Sequence, residues 1–410
     1  MKKNSNNILG VYFGIPAVTK NLLPFVILDH LVTALCLNIP AYFKKVNHLH
    51  YDLIGQFVSL YYWGCLIGAL VGGGLTLYYR TTKISGIGLI FLCVSLSVLF
   101  STQNYWLLLL SMVSLGCIGT IVATSNITSL LKSVEKDEKI RLKVISIDLI
   151  LFNLCFSFST YVLLGLSNSN IKNVIYILCF LLVIGGIYLL GNFKSKLFEP
   201  VNNAMNTKII KKLSLPDSKP EFTLLISMVF CFGLIFSMVK VVFTPALLDR
   251  FGSNFVSVAL ASVNPWVVFA FQPLILDRVR NTNSIWFLGF GGFIVGFSYF
   301  LFGNASNISF VVFALVLLTF GEMMFAPLSK HLNIQLYGQG KEGIASGVWK
   351  AVYLGSGAFG SEMSGFLAEK YGAHIIWEVC GLLGLSCFIL SCFLCKIKKR
   401  EAYDRVALNV

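Results

Sequence analysis

Charge is what this sequence has least of. Only 12% of its 410 residues are Asp, Glu, Lys or Arg, and acids are the scarcer sign, 18 against 32 bases. With 56% hydrophobic residues and a mean hydropathy of +0.79, the chain lies far outside the range of soluble domains. It reads as an integral membrane protein. The excess of bases would suggest nucleic acid in a soluble chain, but here the bases fall almost wholly between apolar runs and report topology.

The spacings of metal, disulfide and cofactor chemistry are also lacking. The eleven cysteines, at 36, 65, 93, 117, 155, 179, 231, 380, 387, 392 and 395, sit within or at the edge of apolar runs, without a CxxC…CxxC pair or a Cys/His spacing. They read as small buried hydrophobes. GVYFG and GFGGFIVG are no dinucleotide fingerprint, since no strand precedes them. No Ser/His/Asp set and no ATP-binding loop stands out, so the expectation is a non-enzyme without cofactor or metal, driven by an ion gradient. The start, MKKNSNNILGVYFGIP, is polar and then only briefly apolar, and is not read as a removable signal peptide.

What is abundant is apolar runs of about twenty residues, the length a bilayer demands. They lie near 20–43, 52–79, 84–101, 104–131, 143–166, 172–193, 222–248, 253–277, 283–303, 307–329, 343–369 and 373–395. Twelve spans put both termini on one side. With the termini inside, inner segments hold 24 of the 32 Lys and Arg, while outer loops hold Lys44, Lys45, Lys172, Arg250 and Lys370. The positive-inside rule therefore predicts cytoplasmic termini in an inner or plasma membrane.

The longest polar connection, KSKLFEPVNNAMNTKIIKKLSLPDSKPE, divides the chain near its middle. The expected fold class is an all-α membrane protein of twelve transmembrane helices in two six-helix bundles. The bundles are 1–193 and 221–400, joined by a cytoplasmic linker at 194–220 and followed by a tail at 401–410. The basic turns YYRTTK and LDRVRN recur after spans 2 and 8, half a chain apart. Paired halves around a midplane site are a transporter signature.

The second of these turns resembles the loop motif of the major facilitator superfamily, a glycine, three residues, then Asp-Arg. Pro273 stands at the glycine, and Asp277 and Arg278 follow Leu274 to Leu276. In the first copy Gly72 to Gly74 and Lys83 remain, but the acid is replaced. The resemblance implies the major facilitator fold and a gating role for Asp277 and Arg278.

From span 8 to span 11 the chain also resembles the proton-dependent oligopeptide transporter (POT) family. Ala261 to Pro273, ASVNPWVVFAFQP, is similar to its S-L-N-P-x-x-I-x-x-x-x-P run. GEMMFAP, followed after a loop by GVWKAVYLGSG, resembles its G-E-x-x-x-S-P and G-x-W-F-L-x-x-x-x-G pair. In that register Asn264, Glu322 and Trp349 line a peptide pocket, with Glu322 facing the substrate's amino group. The first half departs from the pattern. Phe25-Val-Ile-Leu28-Asp29-His30 stands where E-x-x-E-R belongs, and Thr120, Ile121, Val122 and Ala123 follow Gly116 and Gly119 where a Lys-Pro pair belongs. Features of drug antiporters are lacking too: span 5 has no Gly-Pro motif, and span 4 no arginine before Gly116.

An ionisable side chain at bilayer depth costs ~2.5–3.5 kcal/mol even on lenient scales, so each survivor asks for a reason. The survivors are Asp29, His30, Asp148, Lys240, Glu322, Lys350 and Glu362. Glu322 precedes Lys330 by eight residues, and Trp349 and Lys350 follow Lys341 by eight and nine. Both sets therefore stand ~12 Å above one basic loop. Asp29, nine residues beyond Lys20, lies ~13 Å up span 1. A carboxylate, an ammonium and an indole sharing one layer would suit a zwitterion. The expected substrate-binding residues are Glu322, Asn264, Trp349 and Lys350, with Asp29 and Glu322 coupling protons.

The alternative for Asp29, Glu322 and Lys350 is mutual pairing that only fixes packing. His30 could serve packing or relay, Asp148 could cap span 5, and Lys240 could snorkel from the outer half of span 7. The expected function is proton-coupled uptake of small peptides or similar zwitterionic solutes, with a small-molecule substrate, protons and the bilayer as partners and no nucleic acid. Export or import of another metabolite, siderophore or drug is the alternative within transport, and a non-transporting membrane sensor the alternative outside it.

Overall fold

The computed structural model describes residues 15–134, 138–192, 216, 218–252, 255–268, 270–271, 285–337 and 342–408. Helices make up nearly all of them, and no strand occurs among the described residues. In hydrocarbon no water can satisfy a free N–H or C=O, so an apolar run of this length closes its hydrogen bonds within itself as a helix.

The helices run α1 Ala17–Lys45, α2 Tyr51–Tyr78, α3 Thr81–Ser101, α4 Tyr105–Lys132, α5 Glu138–Thr160, α6 Asn168–Asn192, α7 Lys219–Phe251, α8 Phe255–Ala261, α9 Ile285–Gly303, α10 Ile308–Tyr337, α11 Glu342–Tyr371 and α12 His374–Leu408. A π-helical turn, Tyr161–Gly165, extends α5. Ten of these helices, α1 to α7, α9, α10 and α12, are long and apolar enough to cross a membrane. α11 has the length, at 30 residues, but carries Lys350, Glu362, Glu369 and Lys370. It packs along α7, which shields it.

Helix ends follow local chemistry. Asn104 caps α4, its side-chain oxygen accepting from the N–H groups of Trp106 and Leu107 at 3.0 and 3.3 Å. Gly252 closes α7 at φ +74°, which favours a residue without Cβ. α8 ends at Ala261 in a turn at Ser262, and the chain resumes as helix at 263. Pro265 explains the interruption, because it has no N–H to give the carbonyl of Ala261. The linker and the turn carrying Asp277 and Arg278 lie outside the described residues.

The chain forms two compact units, Met1–Asn38 with Gly64–Asn203, and Ile39–Trp63 with Ala204–Val410. In the first unit α3 packs against α4 and α6. α3 and α4 are tied by Ser85 Oγ to Asn126 Oδ1 at 2.8 Å and Ser129 Oγ to Thr81 Oγ1 at 2.6 Å. Leu22 and Val26 of α1, Leu130 of α4 and Val144 and Ile147 of α5 form an apolar cluster.

In the second unit α9 packs between α10 and α12, and α7 against α11 and α12. Gly296 lets α9 lie on α12, since a methyl there would meet the backbone of Gly384 at 2.6 Å. The outer part of the α1–α2 hairpin belongs to this unit. His50 and the Tyr51 amide both bond Glu369 at 3.1 and 2.9 Å, and the Tyr51 hydroxyl reaches Asp249 at 3.4 Å. Gly55 lies so close to α11 that a Cβ would stand 2.7 Å from the Ser361 carbonyl. Gly72, Gly357 and Gly360 also lie close against neighbouring helices. A Cβ on Gly73, Gly74 or Gly355 would meet no described atom within 4 Å.

Candidate functional site

In the second unit, α10 sets the frame. Glu322, Ser329 and Asn333 stand seven and eleven residues apart along it, which keeps them on one face. Each meets a different partner. Asn264, at the break of α8, donates its side-chain N–H to Glu322 Oε2 at 2.8 Å. Trp349 of α11 donates its indole N–H to Ser329 Oγ at 3.0 Å. Asn333 donates to the carbonyl of Ala345 at 2.6 Å. A fixed α10 therefore joins the break in α8 to the start of α11.

The indole of Trp349 is held on its second face as well. It stacks on Tyr353, one turn along α11, with centroids 5.3 Å apart and planes 8° from parallel. The field of the Glu322 carboxylate reaches Tyr353, Tyr299 of α9 and Lys240 of α7. Glu322, Asn264, Trp349, Tyr353 and Lys350 are half-buried and Tyr299 is buried. The result is a carboxylate with an ammonium in range, an aromatic shelf, and amide and phenol groups around it. Chemically such a set favours a cationic group, because carboxylate, π-faces and hydroxyls all attract positive charge.

The structure thus joins Asn264 to Glu322 directly and Trp349 to the same face of α10. Lys350 follows Trp349 on α11. Three participants were not read from the sequence. Lys240, for which snorkelling was one reading, follows a stretch of α7 from Met228 to Val239 that is mostly buried, and it interacts electrostatically with Glu322. Tyr299 and Tyr353 carried no motif signal of their own.

In the first unit the ionisable groups of α1 meet α5. His30 Nε2 lies 3.0 Å from Asp148 Oδ1, and its ring sits edge-on to Phe152 at 5.5 Å and 84°. Asp148 is therefore no cap: α5 begins at Glu138, ten residues earlier, and the carboxylate faces α1 from within the helix. Asp29 is 1% exposed, and its charge acts on both His30 and Cys155 of α5. Two further links bind these helices. Asn38 Nδ2 donates to Ser159 Oγ at 2.7 Å, and the Cys155 thiol donates to the Ile27 carbonyl at 3.7 Å. Asp277 and Arg278, expected to gate, lie outside the described residues.

Known proteins give this arrangement a context. A model of the Major Facilitator Superfamily matches residues 22–361. A curated relative, the "Uncharacterized MFS-type transporter YttB" of Bacillus subtilis (strain 168), is 31% identical over 121 residues, 28% of this chain and 30% of that protein. The chain thus matches less than a third of that relative's length. A solved peptide transporter POT variant in complex with alafosfalin has a TM-score of 0.77 at 14% identity, covering 95% of this chain and 96% of that one. A POT family transporter in complex with 5-aminolevulinic acid has a TM-score of 0.75 at 16% identity, covering 95% and 97%. At such identities the likeness is one of fold. That fold is the twelve-helix architecture expected from the sequence.

Proposed function

The chain belongs to the major facilitator superfamily, and from that premise we propose that it performs proton-coupled uptake of small peptides or similar zwitterionic solutes by alternating access. The observation that carries this reading is the Asn264–Glu322 hydrogen bond. It points a membrane-depth carboxylate in a fixed direction beside the Trp349–Tyr353 stack. A carboxylate so placed costs stability unless it serves a purpose. An ammonium group offered by a substrate would give it one.

The opposite end of a zwitterion needs a cation. The first-half cations of the POT pattern are missing, and Lys240 and Lys350 stand in the second unit with Glu322. That favours short solutes, and the solved relative with 5-aminolevulinic acid carries a molecule having an amino group and a carboxylic acid. Asp29 would carry the proton that Glu322 shares in coupling, and Asp277 with Arg278 would latch the gate. The charge distribution supports cytoplasmic termini in an inner membrane.

The test is counter-flow in proteoliposomes with labelled dialanine, glycine and 5-aminolevulinic acid. Exchange of at least one of them, lost in Glu322→Gln, is the expected result. Exchange of none, or exchange that Glu322→Gln leaves at parental affinity, overturns the reading.

A further inference from the structure

The ionisable groups of the first unit have a geometry that a substrate pocket in the second unit does not use. We infer that His30 and Asp148, with Asp29, form a proton-binding site on the α1–α5 seam, and that this site couples the gradient to the transport cycle. The inference rests on the proton-coupled reading above.

The chemistry follows from the contact. An ionised Asp148 can only accept, so the 3.0 Å bond makes His30 Nε2 the donor and leaves Nδ1 as the basic nitrogen. A proton arriving from outer water forms an N–H bond at Nδ1, turning the ring into imidazolium. Its departure to the inner side breaks that bond, and no electrons are exchanged. The described titratable groups facing this stretch are Asp29 on α1, Asp148 and Cys155 on α5 and, one turn below on α6, Tyr188, stacked on Phe25 at 5.8 Å. α4 contributes the apolar Ile127 and Leu130 to the layer beneath. Two carboxylates therefore bear on one imidazole in an otherwise apolar setting. If both carboxylates are ionised, a neutral ring leaves two negative charges in the cluster and a protonated ring leaves one. A packing contact needs only one such pair, and apolar residues would fill the space at lower cost.

The seam also has a route to the rest of the molecule. Eight residues beyond His30, α1 leaves the first unit at Asn38 and continues into the second as Ile39–Lys45. At that point Asn38 is bonded to Ser159 of α5. Charge on His30 thus acts on the helix that passes from one unit to the other.

The experiment uses the full chain in liposomes. Difference infrared spectra between high and low pH should show protonation of an imidazole together with a shift of the carboxylate bands that face it. The His30 component of those bands should be missing in His30→Gln, with the signals of the other four histidines left in place, and should shift in Asp148→Asn. With dialanine as probe, both variants should lose at least tenfold in pH-gradient-driven accumulation while counter-flow without a gradient continues, and Asp148→Glu should restore accumulation. Unchanged infrared bands in His30→Gln, or full accumulation in either variant, overturn the inference. So does joint loss of both assays together with thermal stability, the mark of a merely structural pair. The infrared arm needs no substrate. A parent that exchanges no solute yet shows the His30 bands refutes the transport reading and leaves the proton site standing.

Discussion

Glu322 has two kinds of neighbour, an amide at 2.8 Å and an ammonium in electrostatic range, and the proposed function adds a substrate's amino group as a third. A charge-assisted hydrogen bond contributes ~1.5–3 kcal/mol, and ~1.4 kcal/mol is one decade of affinity. Glu322→Gln keeps the shape and removes the charge, so solute affinity should fall at least tenfold with the protein still folded; equilibrium binding on purified protein measures it. Asn264→Ala leaves the carboxylate charged but lets it swing, and a loss of roughly three- to tenfold is expected, smaller than for Glu322→Gln. Lys240→Met should lower thermal stability, because it takes a countercharge from Glu322, and adding Glu322→Gln should restore it. A melting curve that Lys240→Met leaves in place would show that the two groups are uncoupled. The motif register singled out Glu322, Asn264 and Trp349, which the fold brings to one face of α10. Lys240, Tyr299 and Tyr353 were hidden because their role depends on which helices touch, and a single apolar run does not encode that. Asp148 was misjudged for a plainer reason: the apolar run starts at 143, but the helix starts at Glu138, and the charged first turn with Glu138, Lys139 and Arg141 hid that Asp148 is an interior position.

At the level of elements the interrupted α8 governs the site. Without Pro265 the N–H at 265 would bond the Ala261 carbonyl and helix would continue through Ser262, turning Asn264 away from Glu322. Pro265→Ala should therefore cut solute uptake several-fold while thermal stability holds or rises, since proline within a helix costs about 3 kcal/mol. Parallel uptake and melting measurements check this, and a variant that transports at the parental rate would detach the break from function. Run length and hydropathy revealed where helices lie, because a bilayer enforces both. They could not show the break at Ser262, which lies inside an unbroken apolar run. Nor could they show that α12 continues to Leu408, where a polar sequence keeps its helical hydrogen bonds beyond the membrane.

For the molecule as a whole, the proposed proton and solute sites fall in different units, Asp29 in the first and Glu322 in the second. Loss of the proton site should then uncouple transport without abolishing it. Asp29→Asn should reduce pH-gradient-driven accumulation at least tenfold and spare exchange, read by comparing gradient-driven uptake with counter-flow in one preparation. Asp277→Asn should slow turnover with affinity nearly intact, and an unaltered rate would remove the latch role. The doubling of the chain was legible from its polar midpoint. The allocation of Ile39–Trp63 to the second unit was not, because it depends on contacts such as Tyr51–Asp249 and His50–Glu369 between residues roughly 200 to 320 positions apart.

That allocation has a mechanical side. The boundaries at Asn38/Ile39 and Trp63/Gly64 fall inside α1 and α2, with no loop to absorb strain. Each of the two helices thus belongs in part to one unit and in part to the other. Pro40 deletes one rung of the α1 ladder just past the first boundary, and Gly64 sits beside the second, where a side chain would strike the Val113 carbonyl. The passage of the chain from one unit to the other is thus carried by continuous helix, with a proline just past the boundary in α1 and a closely packed glycine at the boundary in α2.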